Sequence, residues 1–147
     1  MENSCIPDLS SYPHSIALEL QMKADAASIY NAWTRDFDLW FAEAGELLMI
    51  PEVNRPFFFY NRHEWGRHAH YGRFLRLEKH KMIEMTWLTE KGTHGAETVI
   101  RLELTPRDGG TFLKMTHSGF ESEAAAKGHK DNWPLALKEL DQRLTAR

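Results

Sequence analysis

The chain has 147 residues, 42% of them apolar and 27% charged, with a formal net charge of −3; this is the profile of one globular domain with room for a real core. Mild acidity without any basic cluster argues against nucleic acid or a membrane surface as a partner, and no apolar run approaches the roughly 18 residues of a membrane span. The single cysteine, Cys5, rules out an internal disulfide and a cysteine-based zinc site.

Residues 1–14 carry Pro7, Pro13 and several serines and read as a flexible lead-in to a domain over 15–147. They lack the positive start and apolar core of a secretory signal, so the cytoplasm is the expected compartment. "SIALELQM" then alternates, with Ile16, Leu18, Leu20 and Met22 on one face: a half-buried strand. "ADAASIYNAW" predicts a helix capped by Asp25 that turns Ile29, Tyr30 and Trp33 inward. "DFDLWFA" predicts a second short helix carrying Leu39, Trp40 and Phe41; its Asp36 and Asp38 read as solvated. From Gly45 to His117 the runs are strand-like and separated by turn residues: "ELLMI", "PFFFYNRH", "HAHYGRFLRL", "MIEMTWL", "AETVIRLELT" and "TFLKMTHSGF". That order predicts an antiparallel meander.

The hairpins can be tested against one another. If "EWGR" closes the first, His63 faces His68, Asn61 faces His70, Phe59 faces Gly72 and Phe57 faces Phe74. "EKHK" then sets Phe74 opposite Met85 and Gly72 opposite Trp87. A symmetric loop near residues 89–95 sets Trp87 opposite Thr98, Met85 opposite Ile100 and Ile83 opposite Leu102. An offset turn at "PRDGG" sets Leu102 opposite Met115 and Ile100 opposite His117. One face then collects Phe57, Phe59, Phe74, Ile83, Met85, Trp87, Ile100, Leu102, Leu104, Leu113 and Met115, as same-face pairing requires. In "HKDNWPLALKELDQRL", Trp133, Leu137, Leu140 and Leu144 form a helical apolar stripe that fits across this face. Leu135 lies roughly opposite the stripe. Pro134 suits a new helix capped by Asn132 or Trp133, with "ESEAAAKG" as a separate short helix ended by Gly128; one continuous, kinked helix is the alternative.

Three stretches, "GRFLRLEKHKMIEMTW", "GGTFLKMTHSGF" and "GHKDNWPLALKELDQRL", together with the order of elements, resemble the START-like helix-grip superfamily. Within it the chain is similar to homologues of the heat-shock-protein-90 ATPase activator; His129, Trp133, Leu137 and Leu140 match that family's C-terminal pattern, with Asn132 where glycine is usual. The resemblance covers about residues 15–146. It implies an α+β fold: a curved antiparallel sheet of about six to seven strands around a long C-terminal helix, with two short helices after the first strand. It also implies a cavity between sheet and helix. The activator's chaperone-engaging N-terminal domain has no counterpart in the short lead-in, so co-chaperone activity does not carry over with the name.

Three functions fit. The first is non-covalent binding of a small hydrophobic or aromatic molecule, without a cofactor, by Trp40, Phe57, Phe59, Asn61, His70, Phe74, Met85, Trp87, His117 and Trp133. In that reading Trp40, Trp87 and Trp133 form an aromatic clamp, and Asn61 and His70 are polar handles. The second is an interaction module related to chaperone activators, with a chaperone partner and a role in stress response; Trp65, in a predicted turn, would mark its surface. The third is a cyclase- or hydrolase-like enzyme using His117 or His70 as a general base, although His117 reads better as a hydrogen-bonded core residue, since no partner carboxylate can be placed by spacing. His63, His68 and His70 share a face, but at a hairpin end they read as solvated rings, not a zinc centre. No nucleophile elbow, phosphate loop or dinucleotide fingerprint occurs. A monomer and a homodimer are both compatible with the sequence.

Overall fold

The computed structural model describes residues 6–63 and 66–146; the readings of Cys5 and Trp65 lie outside them. The alternation in the first strand produces β1 (His14–Met22), with Ile16 and Met22 buried and Ala17, Glu19 and Gln21 exposed. Ahead of it, Ile6 and Leu9 border a shallow groove on the outer face of the sheet. The Asp25 carboxylate accepts the Ser28 N–H at 2.7 Å and starts α1 (Ala26–Thr34), which buries Ile29, Tyr30 and Trp33.

The expected second helix is only one 3-10 turn, Phe37–Leu39. The Asp36 and Phe37 carbonyls accept the amides three residues on, Leu39 at 3.0 Å and Trp40 at 3.4 Å, which winds this segment tightly. In such a turn residues i and i+3 share a side, so Phe37 and Trp40 point inward. Leu39, on the other side of the turn, is 59% exposed. The "ELLMI" strand likewise shrinks to β2 (Leu47–Leu48), because the chain turns back at once with the Glu52 amide on the Ile50 carbonyl at 2.8 Å.

Five longer strands follow: β3 (Pro56–His63), β4 (Gly66–Glu78), β5 (Met82–Thr89), β6 (Thr98–Arg107) and β7 (Gly110–Phe120). The seven strands form one antiparallel sheet in the order β1-β7-β6-β5-β4-β3-β2. The expected pairs Phe74–Met85, Ile83–Leu102, Met85–Ile100, Trp87–Thr98, Leu102–Met115 and Ile100–His117 all form. The β3–β4 register differs by two residues: His63 pairs with Gly66, Asn61 with His68, Phe59 with His70 and Phe57 with Gly72. A shift of two preserves the face of every side chain, and all the sheet residues assigned to the apolar face are buried. It does change neighbours. The His70 ring stacks on Phe59, 4.8 Å between centroids. Gly72 lies under Phe57, where a Cβ would come within 2.3 Å of Phe57 Cζ and 2.2 Å of the Thr86 carbonyl oxygen.

The C-terminal helix α2 (Glu123–Thr145) runs unbroken through Gly128 and Pro134, capped by the Ser122 hydroxyl on the Ala125 N–H. The two-helix reading is thereby corrected. Pro134 removes one helical hydrogen bond, but tertiary packing outweighs local propensity: Trp133, Leu137 and Leu140 are buried in the core while Leu135 is 67% exposed. Asp141 fixes the far half of α2, its carboxylate accepting the backbone amides of Lys23 at 2.9 Å and Ala24 at 2.8 Å. No described helix is long and apolar enough to cross a membrane.

Candidate functional site

Asp141 and the lower stripe close one end of the space between α2 and the sheet. The other end opens into a cavity of about 690 Å3. Asn61, His68 and His70 come from the β3–β4 hairpin, Trp87 and Thr89 from β5, and Phe41 from the segment after the 3-10 turn. α2 contributes His129, Trp133 and Ala136, and the β5–β6 loop forms a rim with Lys91, Gly92 and His94. Thr93 pins this loop: its hydroxyl oxygen lies 2.9 and 2.7 Å from the carbonyls of Thr89 and Ala96 and accepts the Thr89 N–H. Gly92 lets the loop pack on Thr89, whose Cγ2 a Cβ there would meet at 2.8 Å, with His129 Cε1 next at 3.3 Å.

Of the residues expected to contact a ligand, Asn61, His70, Trp87 and Trp133 line the cavity. The others do not. Phe59 lies behind His70, and Trp40 behind Phe41 with centroids 5.5 Å apart. Phe57, Phe74 and Met85 are sealed in the core farther along the sheet. The clamp is also corrected. Trp87 and Trp133 are 5.4 Å apart and Phe41 is 5.8 and 5.9 Å from them. A ring inserted between two others needs roughly 7 Å, twice a carbon–carbon contact. These rings therefore make one continuous wall, against which a flat molecule can lie but between which it cannot enter.

His117 stands behind that wall, fully buried. The Trp133 indole N–H donates to its Nδ1 at 3.0 Å, so the ring proton is on Nε2, which donates to the Thr98 hydroxyl at 2.7 Å. The Thr98 hydroxyl donates in turn to the Trp87 carbonyl at 2.6 Å. Burial, helped by the nearby His129, holds the His117 pKa well below the usual imidazole value. The ring is thus a neutral spacer that fixes both tryptophan walls. It does not line the cavity, which removes it as a general base for a bound substrate. His129 is also pushed down by burial; its Nδ1–H donates to the Ala125 carbonyl at 2.9 Å, leaving Nε2 as an acceptor.

Sequence reasoning passed over His129, Ala136 and the loop residues Lys91, Gly92 and His94. His129, Trp133 and Ala136 fall at i, i+4 and i+7, a second stripe beside the main one, and this was the available signal. Nothing local marks the loop residues, and the contact of His94 Nδ1 with the Glu121 carboxylate joins segments far apart in sequence. Among the described residues no group of three or more His, Cys, Asp or Glu is placed to hold a metal ion.

No curated protein matches the chain. Solved structures do. Protein MLL2253 from Mesorhizobium loti is 25% identical, with a TM-score of 0.73 over 89% of this chain and 96% of that one. CV1439 from Chromobacterium violaceum is 19% identical, with a TM-score of 0.78 over 90% and 98%. The Aha1 dimer from Colwellia psychrerythraea, a solution structure, is 21% identical, with a TM-score of 0.67 over 90% and 97%. These likenesses agree with the helix-grip architecture. A family match spans residues 23–145, nearly the whole of the sheet and both helices, so the chain belongs to the activator of Hsp90 ATPase homolog 1-like protein family.

Proposed function

We propose that this protein binds a small hydrophobic or aromatic molecule, without covalent chemistry, in the cavity between the sheet and α2. The observation that supports this best is the cavity itself: about 690 Å3 beside a wall of Phe41, Trp87 and Trp133. That size falls in the range of small-molecule sites, whose walls are mostly apolar with a few polar groups. Asn61, His70, Thr89 and His129 supply such groups here.

Titration calorimetry with 2-naphthol tests the reading. Trp87→Ala is expected to weaken binding by about tenfold or more, the effect of removing a large apolar contact. Leu135→Ala, on the exposed side of α2, is expected to leave affinity within about twofold. Equal losses in the two variants, measured where both are folded, would place the probe elsewhere. Native mass spectrometry of protein taken from its own host is the direct search for the natural occupant.

Family membership supports a second reading, a chaperone-related interaction module. Its contact surface would be the outer sheet face, where Leu48 pairs with Phe58 and Phe58 with Tyr71, and where Leu48 and Tyr71 are exposed. A homodimer is proposed on the strength of the dimeric Colwellia relative. Both would survive Trp87→Ala.

A further inference from the structure

We propose that the occupant of the cavity is a hydroxylated aromatic carboxylic acid, its ring against the tryptophan wall, its acid at the Lys91 rim and its hydroxyl at Asn61. This rests on the binding reading above and narrows it to one chemical class.

The ring follows from the wall. Phe41 and Trp133 lie within 25° of parallel at 5.9 Å and, with Trp87, border the cavity as one continuous wall rather than a slot, most of each indole being covered by its neighbours. A flat π-system covers such a surface with little loss of internal freedom.

The acid follows from a charge census. Asp and Glu number 21 in the chain against 18 Lys and Arg, yet among the described residues no carboxylate lines the cavity. Among the described lining residues Lys91 alone carries a permanent charge, and His68, His70, His94 and His129 are the other ionisable ones. The carboxylates near the rim are outside the lining: Glu121 contacts His94, Glu97 faces Arg73 at 4.0 Å, and Glu90 and Glu123 are exposed. A cleft with a cation at its mouth and no acid within attracts an anionic end group, and low-dielectric walls strengthen that attraction.

The hydroxyl follows from Asn61. This side chain is 5% exposed and lines the cavity, and its Oδ1 has no hydrogen-bond partner among the described residues. A buried amide oxygen without a partner is uncommon in native proteins. An amide both donates and accepts, and so does a hydroxyl, so a ligand hydroxyl can satisfy either end of Asn61.

Calorimetry with three probes on the full chain decides the matter: 6-hydroxy-2-naphthoate, 2-naphthoate and 2-naphthol. The two-headed probe is expected to bind about tenfold tighter than either single-headed one. Lys91→Met, at an exposed position, should abolish the advantage of the carboxylate and leave 2-naphthol unchanged. Asn61→Leu, which keeps the shape of the side chain, should abolish the advantage of the hydroxyl and leave 2-naphthoate unchanged. It should also raise the melting temperature by about 2–6 °C, whereas an asparagine serving only the fold would lower it. Equal affinity of the wild-type protein for all three probes would overturn the acid and the hydroxyl while leaving the cavity as a binding site. Failure of all three to bind would overturn the binding reading as well. The wild-type comparison stands even if one variant does not fold.

Discussion

Trp133→Ala is expected to lower folding stability by about 3–5 kcal/mol, the cost of truncating a buried tryptophan. Trp133 is buried and touches Trp33 at 5.5 Å, Trp87 at 5.4 Å and Phe41 at 5.9 Å. It is the point where α2 meets α1, the sheet and the segment after the 3-10 turn. Truncation removes that junction, enlarges the cavity and leaves His117 Nδ1 without its donor. Trp133→Phe separates the terms: it keeps most of the ring area and loses the indole N–H, so about 1–2 kcal/mol is expected. Urea unfolding of the three proteins measures both values. A loss below about 1 kcal/mol for the alanine variant would mean that α2 is not docked through this residue.

Acid should destabilise the protein through His117. Its folded pKa lies well below the ordinary imidazole value because burial disfavours the charged ring. Above about pH 6.5 the ring is neutral in both folded and unfolded chains and contributes no pH dependence. Below it the unfolded chain takes up a proton that the folded protein refuses. Stability then falls with pH, by up to about 1.4 kcal/mol per unit from this group, until the folded pKa is reached. His129 is depressed in the same direction, and its ring centroid is 5.0 Å from that of His117, so it steepens the loss. His117→Asn retains an acceptor for the Trp133 indole but cannot titrate. It is expected to be less stable than wild type at pH 8 by about 1–3 kcal/mol, yet to lose less on going to pH 5. Denaturation midpoints at the two pH values give the comparison. Parallel losses in the two proteins would show that His117 is not held neutral.

Much of this architecture was legible because three of the four long hairpins carry mutually consistent apolar pairs. Ile83, Met85, Ile100, Leu102 and Met115 agree with one another in a single register and with no neighbouring one. The β3–β4 hairpin escaped because a shift by two leaves the pattern on each face unchanged; only the turn length distinguishes the alternatives, and "EWGR" suits two or four residues equally. Pro134 and Gly128 misled for a different reason. They are local breakers, and the burial of Trp133, Leu137 and Leu140 against the sheet is a tertiary effect. The candidate site was legible only at its floor. Asn61, His70, Trp87 and Trp133 sit on regular elements whose faces can be counted. Phe57, Phe74 and Met85 share that face and are core, because face alone does not say how far along the sheet the helix lifts away. The rim residues Lys91 and His94 belong to a loop, whose path no periodicity describes.

The cavity is most directly tested by the tryptophan indole resonances in a 15N-labelled sample titrated with 2-naphthol. The Trp87 and Trp133 signals are expected to shift saturably and in parallel, with smaller changes at Trp40, which lies behind Phe41. Saturable binding that leaves Trp87 and Trp133 unmoved, or no binding at millimolar probe, would contradict a ligand site between sheet and helix.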